Sequence, residues 1–171
     1  MLVNSALHKN IPKKDIKIFS AIWGIVNILP EYEKSRCEEA PSPIYRCHSI
    51  CRAFKAYLGK GMLVVDGHYI VTNYERAGRK KWNSTVLNCS HTWLALPGGS
   101  IVDLYPVGVF NNPLLLVGNG DYKPFGSGMY APDRAVTRKV MTPEMRQETV
   151  VITAFVREAM AWKKKQQTPN K

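Results

Sequence analysis

Three residues whose types suit a nucleophilic triad lie in the middle of the chain: Cys47, His91 and Asp103. A cysteine attacks a carbonyl carbon as its thiolate, and it needs a neighbouring base to lose its proton at neutral pH. A histidine can take that proton, and a carboxylate can hold the imidazole in the required tautomer and orientation. These residue types together predict acyl transfer through a thioester.

The position of Cys47 favours the thiolate. It stands where a predicted helix, Cys47 to Leu58, begins, directly after Pro41-Ser42-Pro43-Ile44-Tyr45-Arg46. A thiol at that position faces the positive end of the helix dipole and lies beside Arg46. Cys51, one helical turn later on the same side, is the rival nucleophile. Cys47 is preferred because the dipole effect fades within the first turn.

A predicted hairpin relates His91 to Asp103. The strand-like segments His91 to Leu96 and Ser100 to Tyr105 flank a Pro97-Gly98-Gly99 turn. A loop of three to five residues centred on Pro97 would place residues 91 and 103 directly opposite each other, with Cβ atoms about 4.5 to 5.5 Å apart. A two-residue Gly98-Gly99 turn would instead put them on opposite faces. The register of the hairpin therefore decides whether a triad can form.

The order of these motifs resembles the transglutaminase-like cysteine-enzyme superfamily. The resemblance covers roughly residues 44 to 106 and consists of Cys47 at a helix start, Gly61-Met62-Leu63-Val64-Val65-Asp66-Gly67, His91-Thr92-Trp93, Gly98-Gly99 and Asp103-Leu104-Tyr105-Pro106. It implies a papain-like α+β fold, with Cys47 as nucleophile, His91 as base and Asp103 as the residue that orients it. The family contains proteases, transglutaminases, deamidases and peptide-processing enzymes. One departure is that no obvious side-chain oxyanion donor precedes Cys47.

The positions of other residues in these motifs predict their roles. Tyr45, before the nucleophile, and Trp93, which alternates with His91, are the expected substrate contacts, while Trp93 fits a plain core role equally well. His48 and His68 are expected to be surface or packing residues. The segment from Val107 to Arg134 is rich in Gly, Pro and Asn, too long for an ordinary connection, and is expected to be a loop that borders the active site.

Two other function classes fit parts of the pattern. Cys47-x-x-x-Cys51 together with Cys89-x-His91 could supply four ligands for tetrahedral zinc, although structural zinc prefers tighter Cys-x-x-Cys knuckles. A basic binding module could also keep the fold without the chemistry.

The charge of the chain bears on its partners. Lys and Arg outnumber Asp and Glu by 24 to 13, which gives a net charge of +11. That charge would attract acidic peptides, phosphate backbones or anionic membrane surfaces. The absence of a Gly-rich phosphate loop or a paired aromatic RNA-binding motif disfavours nucleic acid. We expect a protein or peptide substrate, acidic among the options, and no cofactor or metal.

The elements that must position the triad follow from periodicity and turn residues. They predict an α+β domain, with an antiparallel sheet and helices packed on it, over residues 1–165 and a disordered basic tail over 166–171. The predicted helices are 13–29, 47–58 and one from Thr142-Pro143-Glu144 to about Lys165; the predicted strands are 62–72, 85–87, 91–96, 100–105 and 135–140; and 31–43 is a predicted loop.

The sequence also predicts where the protein works. No apolar run reaches the roughly 18 residues that a membrane span needs, and the first residues lack the order of a secretory signal. Four cysteines are too sparse for a disulfide scaffold in a chain of 171 residues. We therefore expect a soluble, cytoplasmic protein with reduced thiols.

Overall fold

In the part of the chain that the structure describes, the fold consists of four helices and a five-stranded antiparallel sheet, which confirms the predicted α+β class. The computed structural model describes residues 11–36, 43–59, 61–72, 87–105, 113–116 and 127–168, and of 70–72, 87–89 and 127–129 the backbone alone. In chain order the elements are α1 (Lys13–Ser35), α2 (Cys47–Leu58), β1 (Leu63–Thr72), β2 (Leu87–Ala95), β3 (Ile101–Asp103), β4 (Leu114–Leu116), β5 (Ser127–Pro132), α3 (Arg134–Val140) and α4 (Pro143–Gln167). The strand order across the sheet is β4-β3-β2-β1-β5.

The main hydrophobic core lies between one face of the sheet and helices α1, α2 and α4. Successive side chains of a strand point to opposite faces, so Leu94 of β2 and its partner Val102 of β3 enter this core together. Residues of this core with no exposed surface include Ile22, Ile50, Phe54, Leu94, Val102, Ile152 and Val156. The helix that begins at Cys47 is therefore anchored by its buried face.

A second, smaller cluster covers the other face of the sheet. It contains Trp93, Ile101, Leu116 and Tyr130, with Tyr69 packed against it. Since Trp93 alternates with Leu94 along β2, the same strand supplies side chains to both cores. The strand that carries His91 is thus held from two sides.

Gly67 permits a close approach of strands at the centre of the sheet. It pairs with His91 on β2 and with Pro132 on β5. A Cβ atom at this position would overlap the carbonyl oxygen of Ala131 and lie 2.8 Å from Cη2 of Trp93. Only glycine fits between the β5 backbone and the indole ring.

The turn between β2 and β3 is fixed by a buried carboxylate from α1. Asp15 accepts hydrogen bonds from the backbone N–H groups of Gly98, at 2.8 Å, and Ser100, at 3.1 Å. The Leu96 N–H donates to the Ser100 carbonyl, which leaves a three-residue loop, 97–99, with Gly99 at φ +91°. This is a three-residue hairpin with glycine at the position of positive φ.

Two predicted elements in the second half of the chain differ from the structure. Residues 134–140 form helix α3, not a strand at 135–140, because the Asp133 side chain caps the helix by accepting from the Ala135 N–H. The predicted loop from Val107 to Arg134 contains strands β4 and β5, which gain their order from pairing with β3 and β1. These short strands lack the alternating pattern that would reveal them in the sequence.

The boundaries of the long helices also differ. Helix α1 continues through Pro30 to Ser35, whereas the sequence ended it before that proline and predicted a loop over 31–43. Helix α4 continues to Gln167, two residues into the predicted tail. Of the predicted strand at 85–87, only Leu87 is described, as the first residue of β2.

In the described ranges, none of the helices combines the length and apolar character that crossing a membrane requires.

Candidate active site

Cys47 is the first residue of α2, as expected, but Arg46 does not supply the charge beside it. Arg46 precedes the helix in an extended conformation, and its Nη1 atom lies 3.3 Å from Oε1 of Glu148 on α4. The groups that lower the pKa of the partly buried Cys47 thiol are two imidazoles, those of His48 and His91.

His91 and Asp103 meet side by side. The Nε2 atom of His91 lies 2.8 Å from Oδ2 of Asp103, and the two side chains are only 12% and 3% exposed. The carboxylate also accepts hydrogen bonds from the Tyr130 hydroxyl, at 2.6 Å, and from the Tyr105 backbone N–H, at 2.8 Å. Three donors therefore fix the position of Asp103.

The centre of the β2–β3 hairpin lies one residue later in the sequence than predicted. Leu94 pairs with Val102, so the hairpin is centred on Gly98 rather than Pro97. Continuing this register makes Asp103 the neighbour of Trp93 and places it diagonally from His91 on the same face. The expectation that His91 and Asp103 share a face is confirmed, but their direct opposition was wrong. The imidazole spans the diagonal with its far nitrogen, Nε2.

Helix α2 begins beside a stretch of β2 that β3 does not cover. The Leu96 backbone pairs with β3, and alternate residues of a strand direct their backbone groups to the same side, so the Thr92 carbonyl also points toward β3. Strand β3 ends at Asp103, and the Thr92 carbonyl accepts from the Cys51 thiol of α2 at 3.4 Å instead. Helix α2 thus contacts the backbone of β2 where β3 has ended.

The thiol and the imidazole stabilise each other's charged forms. Burial raises the pKa of Cys47, but hydrogen bonds from His48 and His91 and their positive charges outweigh it and lower this pKa to about 6. Burial lowers the pKa of His91, while its hydrogen bonds to Asp103 and Cys47 raise it to about 10. At neutral pH the pair is therefore a thiolate and an imidazolium.

His48 is a site residue that the sequence reasoning missed. Its side chain is 14% exposed, and its Nδ1 atom makes a short hydrogen bond with Oγ1 of Thr92. The Thr92 hydroxyl donates to Oδ1 of Asp66 at 2.6 Å, and Arg52 donates to Oδ2 of the same carboxylate at 2.6 Å. In the sequence, the position of His48 directly after Cys47 could have indicated a place in the site. His68, by contrast, packs against Asp133, 3.1 Å away.

Cys51 does not have the character of a nucleophile. It is fully buried, and burial, followed by the nearby negative charge of Asp103, raises the pKa of its thiol well above the usual value. The thiol therefore stays protonated, and its S–H group donates a hydrogen bond to the Thr92 carbonyl. Zinc would need Cys51 as a thiolate, which its surroundings oppose. Among the side chains that the structure describes, no three His, Cys, Asp or Glu residues are grouped as metal ligands would be; Cys37 and the Cys89 side chain lie outside them.

Trp93 supports the base from within the protein. It is 2% exposed, and its ring stacks with His91 at a centroid distance of 6.4 Å and meets Tyr130 edge-on at 5.2 Å. Its burial fits the plain core role, and its substrate role stays a prediction. Tyr45 packs against the main core, and burial, followed by the charge of Glu33, raises its pKa. Its substrate role stays a prediction.

The segment from Val107 to Arg134 contributes to the site through its described part. Tyr130 of β5 is the hydrogen-bond partner of Asp103. Sequence reasoning placed a substrate loop here and missed Tyr130, because an isolated tyrosine in a Gly- and Pro-rich stretch carries no periodic signal. Residues 106–112 and 117–126, on which the expected substrate loop depends, lie outside the described residues.

The comparisons with known proteins add no family to this geometry. No protein-family model, no curated protein and no solved structure matches the chain. What the protein does must therefore be argued from its own site residues.

Proposed function

We propose that the protein is a cysteine acyl-transfer enzyme of the transglutaminase-like kind, with a papain-like arrangement of helix and sheet. Cys47 is the nucleophile, His91 the base and Asp103 the residue that orients the base. The observation that carries the proposal is the contact of His91 with the buried Asp103, 2.8 Å from Nε2, in an imidazole that also helps to lower the pKa of the Cys47 thiol to about 6. Nucleophile, base and orienting group in contact are the signature of an activated nucleophile.

The placement of these residues in the fold also supports the proposal. The nucleophile opens a helix that packs on an antiparallel sheet, while base and carboxylate come from the adjacent strands β2 and β3. The chain order is Cys, His, Asp. This is the order and placement that the resemblance to transglutaminase-like enzymes implies.

The chemistry follows from the protonation states. The Cys47 thiolate attacks the carbonyl carbon of an amide or ester, the S–C bond forms, and the carbonyl electron pair moves onto oxygen. When that pair returns, the bond to the leaving group breaks, and the His91 imidazolium gives its proton to the leaving amine or alkoxide. Water or an amine then attacks the thioester, loses its proton to His91 and releases Cys47.

The proposed substrate is a protein or peptide. The net charge of +11 favours an acidic one by attraction over the Debye length. Hydrolysis and transfer differ only in the group that resolves the thioester, so adding a primary amine to the reaction would separate them.

The proposal is tested by acylating the protein with p-nitrophenyl acetate and measuring its intact mass, followed by peptide mapping. One acetyl group should appear on Cys47, at a rate that chelators do not change. Cys47→Ala should abolish it, and His91→Ala should slow both its formation and its hydrolysis. Cys51→Ala is the matched thiol control and should retain the label. Acetylation at Cys51 or Cys89 would show that Cys47 is not the nucleophile, and loss of activity with chelator would favour the zinc alternative.

A further inference from the structure

The Cys47 thiol lies between two imidazoles, of which the triad uses only one. His91 comes from β2, while His48 is the next residue of the nucleophile helix itself. Both are close enough to the thiol to lower its pKa. His48 is not a surface residue, because only 14% of its side chain is exposed and buried partners fix its ring.

The hydrogen-bond partners of His48 determine that its Nδ1 atom carries a proton. The Thr92 hydroxyl has one hydrogen, and it donates that hydrogen to Oδ1 of Asp66, which lies 2.6 Å away and can only accept as a carboxylate. The Thr92 oxygen must then accept from His48, so Nδ1 carries a proton. With Nδ1 as donor to Thr92, the other ring nitrogen, Nε2, is left for the thiol.

Arg52 closes this network. It donates to Oδ2 of Asp66 at 2.6 Å and, with its other amino group, to the backbone carbonyl of His48 at 2.9 Å. The charged groups that face His48 are thus Cys47 and Arg52 from α2 and Asp66 from β1, whose Oδ1 atom lies 3.8 Å from Nδ1. Burial lowers the pKa of His48, but the nearby carboxylate of Asp66 and the Cys47 thiolate raise it to about 9.

We propose that His48 is a second, positively charged imidazole at the nucleophile, which stabilises first the Cys47 thiolate and then the oxyanion formed when that thiolate attacks a carbonyl. The Arg52–Asp66–Thr92 network holds it in place. This inference rests on the proposed acyl transfer and assigns an oxyanion donor. His48 keeps its proton throughout: it donates a hydrogen bond from Nε2 as the carbonyl electron pair moves onto oxygen, and His91 alone supplies the proton to the leaving group.

A division of labour between the histidines follows. His91 is held by a carboxylate and exchanges protons with the reacting groups, whereas His48 reaches its carboxylate through a threonine hydroxyl and acts by charge. Thr92 and Asp66 are positioning residues, since they act on the thiol only through His48. A fixed donor in a buried site stabilises developing charge more strongly than water does.

The first test needs no substrate. The rate of Cys47 alkylation by iodoacetamide is measured against pH for the wild type, His48→Gln and Thr92→Val, with His68→Gln as a matched control in which a histidine paired with Asp133 is lost. The wild-type midpoint should lie near pH 6. His48→Gln should raise it by at least about one unit, which lowers the thiolate fraction below the midpoint about tenfold. Thr92→Val should raise it by less, and His68→Gln should not move it.

The second test isolates the oxyanion role. Above the pH at which Cys47 is fully a thiolate in both proteins, His48→Gln should still lower kcat for p-nitrophenyl acetate by about 100-fold, the usual effect of one oxyanion donor. Equal kcat there would overturn the oxyanion role. A wild-type midpoint near 8.5 would contradict the proposed function itself, whereas a low midpoint that His48→Gln and Thr92→Val both leave unchanged would overturn the His48 inference alone.

Discussion

His91 and Asp103 are diagonal neighbours across the β2–β3 hairpin, and their side chains still meet at 2.8 Å between Nε2 and Oδ2. The pair depends on one register, because a slip of one residue would send either side chain to the other face. Asp15, on α1, holds that register through its bonds to Gly98 and Ser100. A helix far from the thiol in sequence therefore determines whether the triad can form.

Replacing Asp103 with Asn should leave the fold intact but lower turnover by up to several orders of magnitude. The amide can still accept one hydrogen bond, but it cannot stabilise the imidazolium that His91 must become. The pKa of His91 should fall, since Asp103 is the largest influence that raises it. Turnover of p-nitrophenyl acetate and the near-UV circular dichroism spectrum measure the two effects. Unchanged turnover in a folded Asp103→Asn variant would remove Asp103 from the mechanism.

Tyr130→Phe should lower kcat/KM about tenfold, the effect of losing one hydrogen bond to a charged group. The Tyr130 hydroxyl donates to the same Asp103 oxygen that His91 contacts. Without it, the carboxylate is less well fixed, although its contact with the imidazole remains. Tyr69→Phe removes a hydroxyl from the same aromatic cluster, but not this bond, and should change turnover less. An equal effect of the two variants would assign the loss to packing.

The places of Cys47, His91 and Asp103 in the fold could be predicted from the sequence because local signals mark them. Pro41 and Pro43 before a helical pattern place Cys47 at a helix start, and the glycines after Pro97 predict a hairpin around it. Those signals fix which residues can meet. They do not fix the loop length, and the buried Asp15 that sets it comes from 83 residues away in sequence.

The residues that sequence reasoning missed depend on contacts between distant segments. His48 becomes a site residue because β1 and β2 place Asp66 opposite Thr92, and only the sheet register brings that pair to the start of α2. Tyr130 arrives on β5, a strand without an alternating pattern. Long-range pairing of this kind leaves little trace in a single sequence.

The rate of turnover should be constant between about pH 6 and about pH 9 and fall on both sides. On the alkaline side the first loss is the charge of His48, whose pKa is raised to about 9. The pKa of Cys47 is lowered to about 6, so the thiolate is lost as pH falls below that value. The pKa of His91 is raised to about 10, so the proton needed by the leaving group is lost as pH rises above it. A profile of kcat/KM against pH reports both groups of the free enzyme. A rising limb near pH 8.5 would mean that the thiol is not activated.

Asp15→Ala should destabilise the protein by about 3 kcal/mol. The change leaves two buried backbone N–H groups, those of Gly98 and Ser100, without the carboxylate that accepts from them. It should also lower turnover beyond the effect of unfolding, because the turn sets the register of His91 and Asp103. Urea denaturation and activity at low temperature separate the two losses. Lys14→Ala, at the neighbouring exposed position of α1, is the control and should change stability by less than about 0.5 kcal/mol. Full activity of folded Asp15→Ala would show that the turn holds its register without α1.

Gly67→Ala should destabilise the protein by about 3 kcal/mol or more, because the added methyl carbon would overlap the Ala131 carbonyl oxygen and lie 2.8 Å from the Trp93 ring. Either β5 or the indole must move. Both support His91, so the variant should also lose activity at temperatures where it remains folded. The matched control is Gly24→Ala in helix α1, where a Cβ atom would meet nothing within 4 Å and helix propensity should add about 1 kcal/mol of stability. Equal stability of the two variants would mean that β1 and β5 do not approach as closely as the described backbone places them.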